Sequence, residues 1–203
     1  LKVDRLWASR QKNWEPAKRY LRERIEDIGV LVVFNGIVGN NTSRGLDPDE
    51  FQGFALVDEY APLMFVNTAD FKTAQMFTLA HELVHVFIGA AGVTRFERLQ
   101  PTALDVERFC NATAAEFLVP GKEMMEYWDG LSESLDRFRD VAGHFKVSVL
   151  VAARRALDIE LISREEFFSF YKEYIRGLPR RSKQEGGSFW NSQNVRLGRR
   201  FGE

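Results

Sequence analysis

Cysteine is nearly absent from this chain. Cys110 stands alone among 203 residues, so no intramolecular disulfide can staple the fold, and a reducing cytoplasm is the compartment that such usage suits. Long apolar runs are missing too: none approaches the roughly 18 residues a membrane-spanning helix needs, and nothing near the start resembles a signal peptide. Charge of one sign is not in excess. Twenty-eight basic residues face 29 acidic ones, a formal net charge of −1, which gives no overall field to mark a nucleic-acid binder. Histidine is scarce, with three in the chain, so the placing of each carries weight. The first residue is Leu1 rather than methionine, which suggests a longer parent chain.

What is present is ordinary globular material. Hydrophobic residues make up 45% and charged residues 28%, enough for one or two domains with a sizeable core. Between Trp14 and Asp27 the apolar residues Ala17, Tyr20, Leu21, Ile25 and Ile28 fall on one helical face, and Gly29 ends the run. Short strands are expected at 30–34 (VLVVF), 54–58 (FALVD) and 63–67 (LMFVN). The Gly/Asn/Ser-rich stretch from Gly36 to Asp49 reads as a loop. From Asp70, a plausible N-cap, the period becomes helical, with Gly89 and Gly92 as stops. A second helix is expected from Thr102, paired with Asp105 as a cap, to just before Pro120. After Trp128 come helical segments at about 132–145, 148–157 and 163–176, with Ser163 and Glu166 forming a capping box. The last residues, Arg176 to Glu203, carry seven basic and two acidic side chains, a net +5. The expected class is therefore α+β: a small three-stranded sheet at one end, then helices and a helical, helix-turn-helix-like region. The corresponding division is 1–130, 131–178 and a basic tail at 179–203.

The chemistry concentrates at residues 77–88, FTLAHELVHVFI. His81-Glu82-Leu83-Val84-His85 is an H-E-x-x-H motif on a strongly helical segment. Four residues make about one turn, so His81 and His85 project from the same face and can reach one metal ion. Glu82 lies about 100° round the helix, beside such an ion rather than on it, where a carboxylate can take a proton from an activated water. A lone histidine on an apolar face is ordinarily a core residue. Here two of the three histidines stand at ligand spacing in a segment wrapped by Met76, Phe77, Leu79, Leu83, Val84, Val86, Phe87 and Ile88, and burying such groups without partners costs several kcal/mol or more. A metal satisfies all three at once.

Catalytic zinc takes three protein ligands plus water. The extended metzincin pattern would need glycine at 88 and histidine at 91, where this chain has Ile88 and Ala91. The next helix offers Asp105, Glu107 and Glu116 instead. Glu107, Asn111, Ala114 and Leu118 share one face whose small residues permit close packing, while Glu116 points about 180° away toward solvent. Glu107 is thus the favoured third ligand, with Asp105 the main competitor, and Asn111 is placed to orient a ligand histidine. Cys110 is close enough to the same face to raise the idea of a thiolate ligand, although a packed core cysteine is the favoured reading, since small buried cysteines are common.

At these residues the sequence resembles the ImmA/IrrE family of gluzincin-type metallopeptidases. FTLAHELVHVFIG followed by VERFCNATAAEFLVP carries the likeness, supported by FQGFALVDEYAPLMFVNTAD before it and GHFKVSVLVAARRALDIELIS and GGSFWNSQNVRLGRRF after it. The resemblance implies His81 and His85 as zinc ligands, Glu107 as the third and Glu82 as general base, with one Zn2+ per chain. Phe109, where many relatives carry a second acid, and Cys110, often alanine, depart from the commoner pattern. The implied substrate is a helix-turn-helix repressor of mobile-element or stress-response genes, in the cytoplasm. No membrane partner is expected. A peptide substrate could add as a strand to an edge at 54–58 or 63–67, and His144, Tyr127 and Tyr171 are candidates to stabilise the oxyanion.

Two rivals stand beside this reading. A metal-containing anti-repressor could bind the repressor without cutting it, but a structural site closes its fourth position and has no need of Glu82. A DNA-binding regulator could use 132–157, with Arg154 and Arg155 on phosphate. The second helix of that unit opens with Ser148, Val149, Leu150 and Val151, which suits packing better than base reading.

Overall fold

The computed structural model describes residues 1–39, 41–90, 92–94, 105–131 and 136–177. The first helix, α1 (Trp14–Glu26), is capped by the Asn13 side chain on the Glu15 amide. It buries Ala17, Leu21 and Ile25, as their spacing predicts, while Ile28 just beyond it stays exposed. The three expected strands form the body of a mixed sheet: β1 (Leu31–Asn35), then, numbering along the chain, β4 (Gly53–Leu56) and β5 (Leu63–Asn67). Between them the stretch read as a loop pairs with itself as an antiparallel hairpin, β2 (Ile37–Val38) with β3 (Asn41–Gly45). Its residues are mostly exposed and lack apolar alternation, so only backbone pairing defines it.

A sixth strand, β6 (Gly92–Thr94), follows the motif helix and extends the sheet to the order β1-β5-β4-β6. Gly92 therefore opens a strand rather than ending a helix. Strand β1 runs parallel to β5, with Leu31 opposite Leu63 and Asn35 opposite Asn67. Strand β4 is antiparallel to both β5 and β6. This order corrects the expected docking edges: 54–58 and 63–67 are interior strands with a neighbour on each side. One sheet face, carrying Val32, Phe34, Ala55, Met64 and Val66, is buried beneath the helices. The opposite face is half-buried, and there Phe54 and Phe65 stack with centroids 5.0 Å apart.

The remaining helices are α2 (Gln75–Ile88), α3 (Asp105–Leu118), α4 (Gly121–Asp129), α5 (Arg137–Phe145), α6 (Val149–Asp158) and α7 (Arg164–Gly177). Asp70 does not cap α2. Its carboxylate accepts the neighbouring Phe71 amide at 2.8 Å, and a turn through Ala74 intervenes before the helix. Pro120 and Gly121, read as a break, instead start α4, with the Gly121 amide donating to the Glu116 carboxylate. Ser148 caps α6, and Ser163 with Glu166 makes the reciprocal box before α7. The expected Thr102 cap and the basic tail from 178 onward lie outside the described residues. One apolar core runs from α1 and the sheet through α2 and α3 to α4–α7, with Phe145, Leu118 and Met124 fully buried in it. No described helix is long and apolar enough to cross a membrane.

Candidate metal centre

Helix α2 lies across β4 and β5 on the buried face and packs along α3. Every residue from Gln75 to His85 is buried, as expected of the apolar wrap, but Phe87 and Ile88 at its end emerge into solvent. His81 and Glu82 are 0% exposed. The close seating depends on Gly53: a Cβ there would lie 2.6 Å from Thr78 Cγ2, 2.8 Å from the Phe65 carbonyl oxygen and 3.1 Å from Glu82 Oε1. Strand β4 thus approaches to within one methyl group of the Glu82 carboxylate.

Four polar atoms converge between the two helices. His81 Nε2 lies 3.0 Å from His85 Nε2. Glu107, on the first turn of α3, spans the pair with Oε2 3.2 Å from His81 Nε2 and Oε1 3.2 Å from His85 Nε2. The exposed Asp105 is instead drawn to Arg108 at 2.6 Å, and Glu116 pairs with Arg155. Helical geometry therefore separates the three acids as their phases imply. Cys110, one turn beyond Glu107, also reaches the pocket, where its sulfur and the two histidines offer donor atoms all within 4.8 Å of one another.

The protonation pattern suits a cation. His85 Nδ1 is 3.0 Å from the Ala90 carbonyl oxygen, which can only accept, so that bond places the proton on Nδ1 and leaves the Nε2 lone pair facing His81 and Glu107. Burial depresses the His81 pKa to about 3, the nearby His85 adds to this, and a contact from the Asn111 side chain pulls the other way. The imidazole is therefore neutral at physiological pH, as a ligand must be. Two imidazole nitrogens and a carboxylate gathered this tightly are a donor set that a divalent cation can share. Their 3.0–3.2 Å spacings match the edge of about 3.3 Å for a tetrahedron of donors around an ion at the distance typical of zinc–nitrogen bonds. The residues fit a small divalent metal. Burial also pushes the Cys110 thiol up to about 11, with the Glu107 and Glu82 carboxylates adding to the effect.

The Ala90 carbonyl has no signature in the sequence. Gly89 adopts a left-handed conformation with φ of +71°, and the chain folds back so that the Ala90 amide donates to the His85 carbonyl at 3.0 Å. The same turn aims the Ala90 carbonyl at the His85 ring. The glycine was readable as a stop; its second task of orienting the His85 ring was not.

The other candidates are engaged elsewhere. Tyr127 stacks on His144 with centroids 4.1 Å apart, and Tyr171 stacks on Phe167. Arg155 is buried and donates to the Val119 carbonyl at 3.0 Å as well as pairing with Glu116, while Arg154 pairs with Asp158. Both arginines are thus paired within the chain.

Compared with known families, residues 25–157 match the model Peptidase_M78, described as the IrrE N-terminal-like domain. No curated protein matches the chain. The match takes in α2, α3 and the donors they bring together.

Proposed function

The chain belongs to the IrrE N-terminal-like family of peptidases, and from that membership we propose that it is a zinc-dependent endopeptidase in which His81, His85 and Glu107 hold one zinc ion and Glu82 manages the proton. The observation that carries this reading is the gathering of two imidazole nitrogens and a carboxylate within 3.2 Å, one residue from a fully buried glutamate. Imidazole and carboxylate donors suit zinc, which when bound supplies Lewis-acid activation of a peptide carbonyl and of the attacking water.

The rest of the chemistry falls to the chain itself. The Ala90 carbonyl keeps the His85 ring in the tautomer whose Nε2 can bind, and burial keeps His81 neutral. Glu82 accepts a proton from the attacking water and later returns it to the departing amine. Its position between α2 and the backbone of Gly53 limits the directions in which that carboxylate can turn. The substrate we propose is a cytoplasmic helix-turn-helix repressor encoded nearby, a reading that rests on the family resemblance.

The test compares the wild type with Glu82→Gln for metal content and for cleavage of the adjacent repressor. Both proteins should hold one zinc, and only the wild type should cut. If both hold zinc and relieve repression equally without cleavage, the protein is a binding switch and the peptidase reading fails.

A further inference from the structure

Cys110 is buried beside the candidate metal site as well as in the core. It is 0% exposed, on the face of α3 that also buries Ala114, Ala115 and Leu118. Its surroundings are polar: the two histidine ligand atoms lie within 4.8 Å of its sulfur and of each other, and the Glu107 and Glu82 carboxylates are close enough to act on it electrostatically. On α3, Glu107 and Cys110 are three residues apart, so both side chains face α2 from one side. Glu107 enters from the rim, with its side chain 22% exposed, and Cys110 enters from the floor.

Sulfur matters because it is a strong zinc donor and because a catalytic site must keep one position open. Two imidazoles, one carboxylate and one thiolate would complete a tetrahedral set and leave no place for a substrate carbonyl. We infer that Cys110 is a fourth donor of the metal centre, giving it a closed, latent form in which sulfur holds the position that substrate must take. This inference rests on the proposed metal site and adds to it a ligand that the H-E-x-x-H motif does not contain. It also casts the cysteine as the competitor that an incoming peptide displaces.

Cobalt(II) reports the ligand type directly, since a thiolate bound to it gives an intense near-ultraviolet charge-transfer absorption that imidazole and carboxylate do not. Wild type and Cys110→Ala are each titrated with cobalt(II) alone under anaerobic conditions, with circular dichroism and dialysis stoichiometry alongside. Wild type should take up one cobalt with the sulfur band; folded Cys110→Ala should take up one cobalt with the band lost and the weaker visible bands retained. Cys110→Ser, which keeps the size and removes the sulfur, should repeat that loss. One bound cobalt in the wild type without a sulfur band overturns this inference and leaves the histidine–glutamate site standing. No cobalt uptake by the wild type overturns the metal site and the inference together.

Discussion

The two helices that build the candidate centre supply its proposed ligands in opposite ways. Helix α2 offers His81 and His85 from inside the core, where every residue from Gln75 to His85 is buried. Helix α3 offers Glu107 from its first turn at the rim, among the exposed Val106, Arg108 and Phe109, and only its later turns enter the core through Ala114 and Leu118. The histidines are positioned by packing and by a backbone carbonyl. The Glu107 carboxylate, on a side chain 22% exposed, is held by its contacts to the two imidazoles. The centre thus has a rigid half and an adjustable half, and the adjustable half is the one nearest to an arriving substrate.

Removing one ligand from each half tests this division most strongly. His81→Ala should weaken zinc binding by at least about a hundredfold and also destabilise the metal-free protein by ~2 kcal/mol through the cavity it leaves. Glu107→Ala should weaken zinc binding as well but move metal-free stability by less than about 0.5 kcal/mol, as surface changes do. Competition with a chelator and urea unfolding in its presence separate the two effects; equal stability losses would erase the distinction.

A smaller effect is expected where the rigid half meets the sheet. Gly53→Ala places a methyl group against Thr78, the Phe65 carbonyl and Glu82, and should cost about 1–3 kcal/mol by overpacking. Because the Phe65 oxygen is backbone it cannot step aside, so the Thr78 side chain must shift and the Glu82 carboxylate must give way a little. Peptidase activity should fall further than zinc occupancy does, and parallel losses in both would argue against that route.

The smallest effect lies behind the rigid half, on α1. Lys18 donates to Gln75 Oε1 at 2.9 Å, at the start of α2, with its ammonium about equally close to the Trp14 and Phe34 rings. Burial lowers its pKa to about 8 from an ordinary 10.5. The unfolded chain therefore binds more protons than the folded one between those values, and stability contributed by this site rises with pH across that window. Comparing wild type with Lys18→Met by urea unfolding at pH 7.5, 8.5 and 9.5 should show the gap moving in favour of the wild type, by at most about 2 kcal/mol after solvent screening. A gap that stays constant would mean the ammonium is better solvated than its surroundings imply.

The convergence of His81, His85 and Glu107 was legible because helical phase is a strict constraint. Spacings of four put His81 above His85 and Glu107 above Asn111, and nine residues turned Glu116 to the other side. The same periodicity located the buried stripe of α1, and hydrogen-bond chemistry located the Ser163–Glu166 box. The unreadable features depend on backbone or on distant partners. The β2–β3 hairpin joins exposed residues with no side-chain alternation. Strand β6 takes its place from β4, far away in sequence. Helix α4 begins at a proline and a glycine because a glutamate from the preceding helix receives the first free amide. Arg155 looked like a phosphate contact until the Val119 carbonyl and Glu116 supplied partners from another helix.

The Gly89–Ala90 turn carries a lesson in mutational tolerance. The atom that sets the His85 tautomer belongs to the peptide unit of Ala90, so exchanging the Ala90 side chain leaves it in place. Inheritance can disturb it chiefly through Gly89, whose left-handed backbone no residue with a Cβ adopts without strain. A saturation library selected for activity should therefore come back varied at position 90 and dominated by glycine at position 89, although neither position supplies one of the proposed ligands.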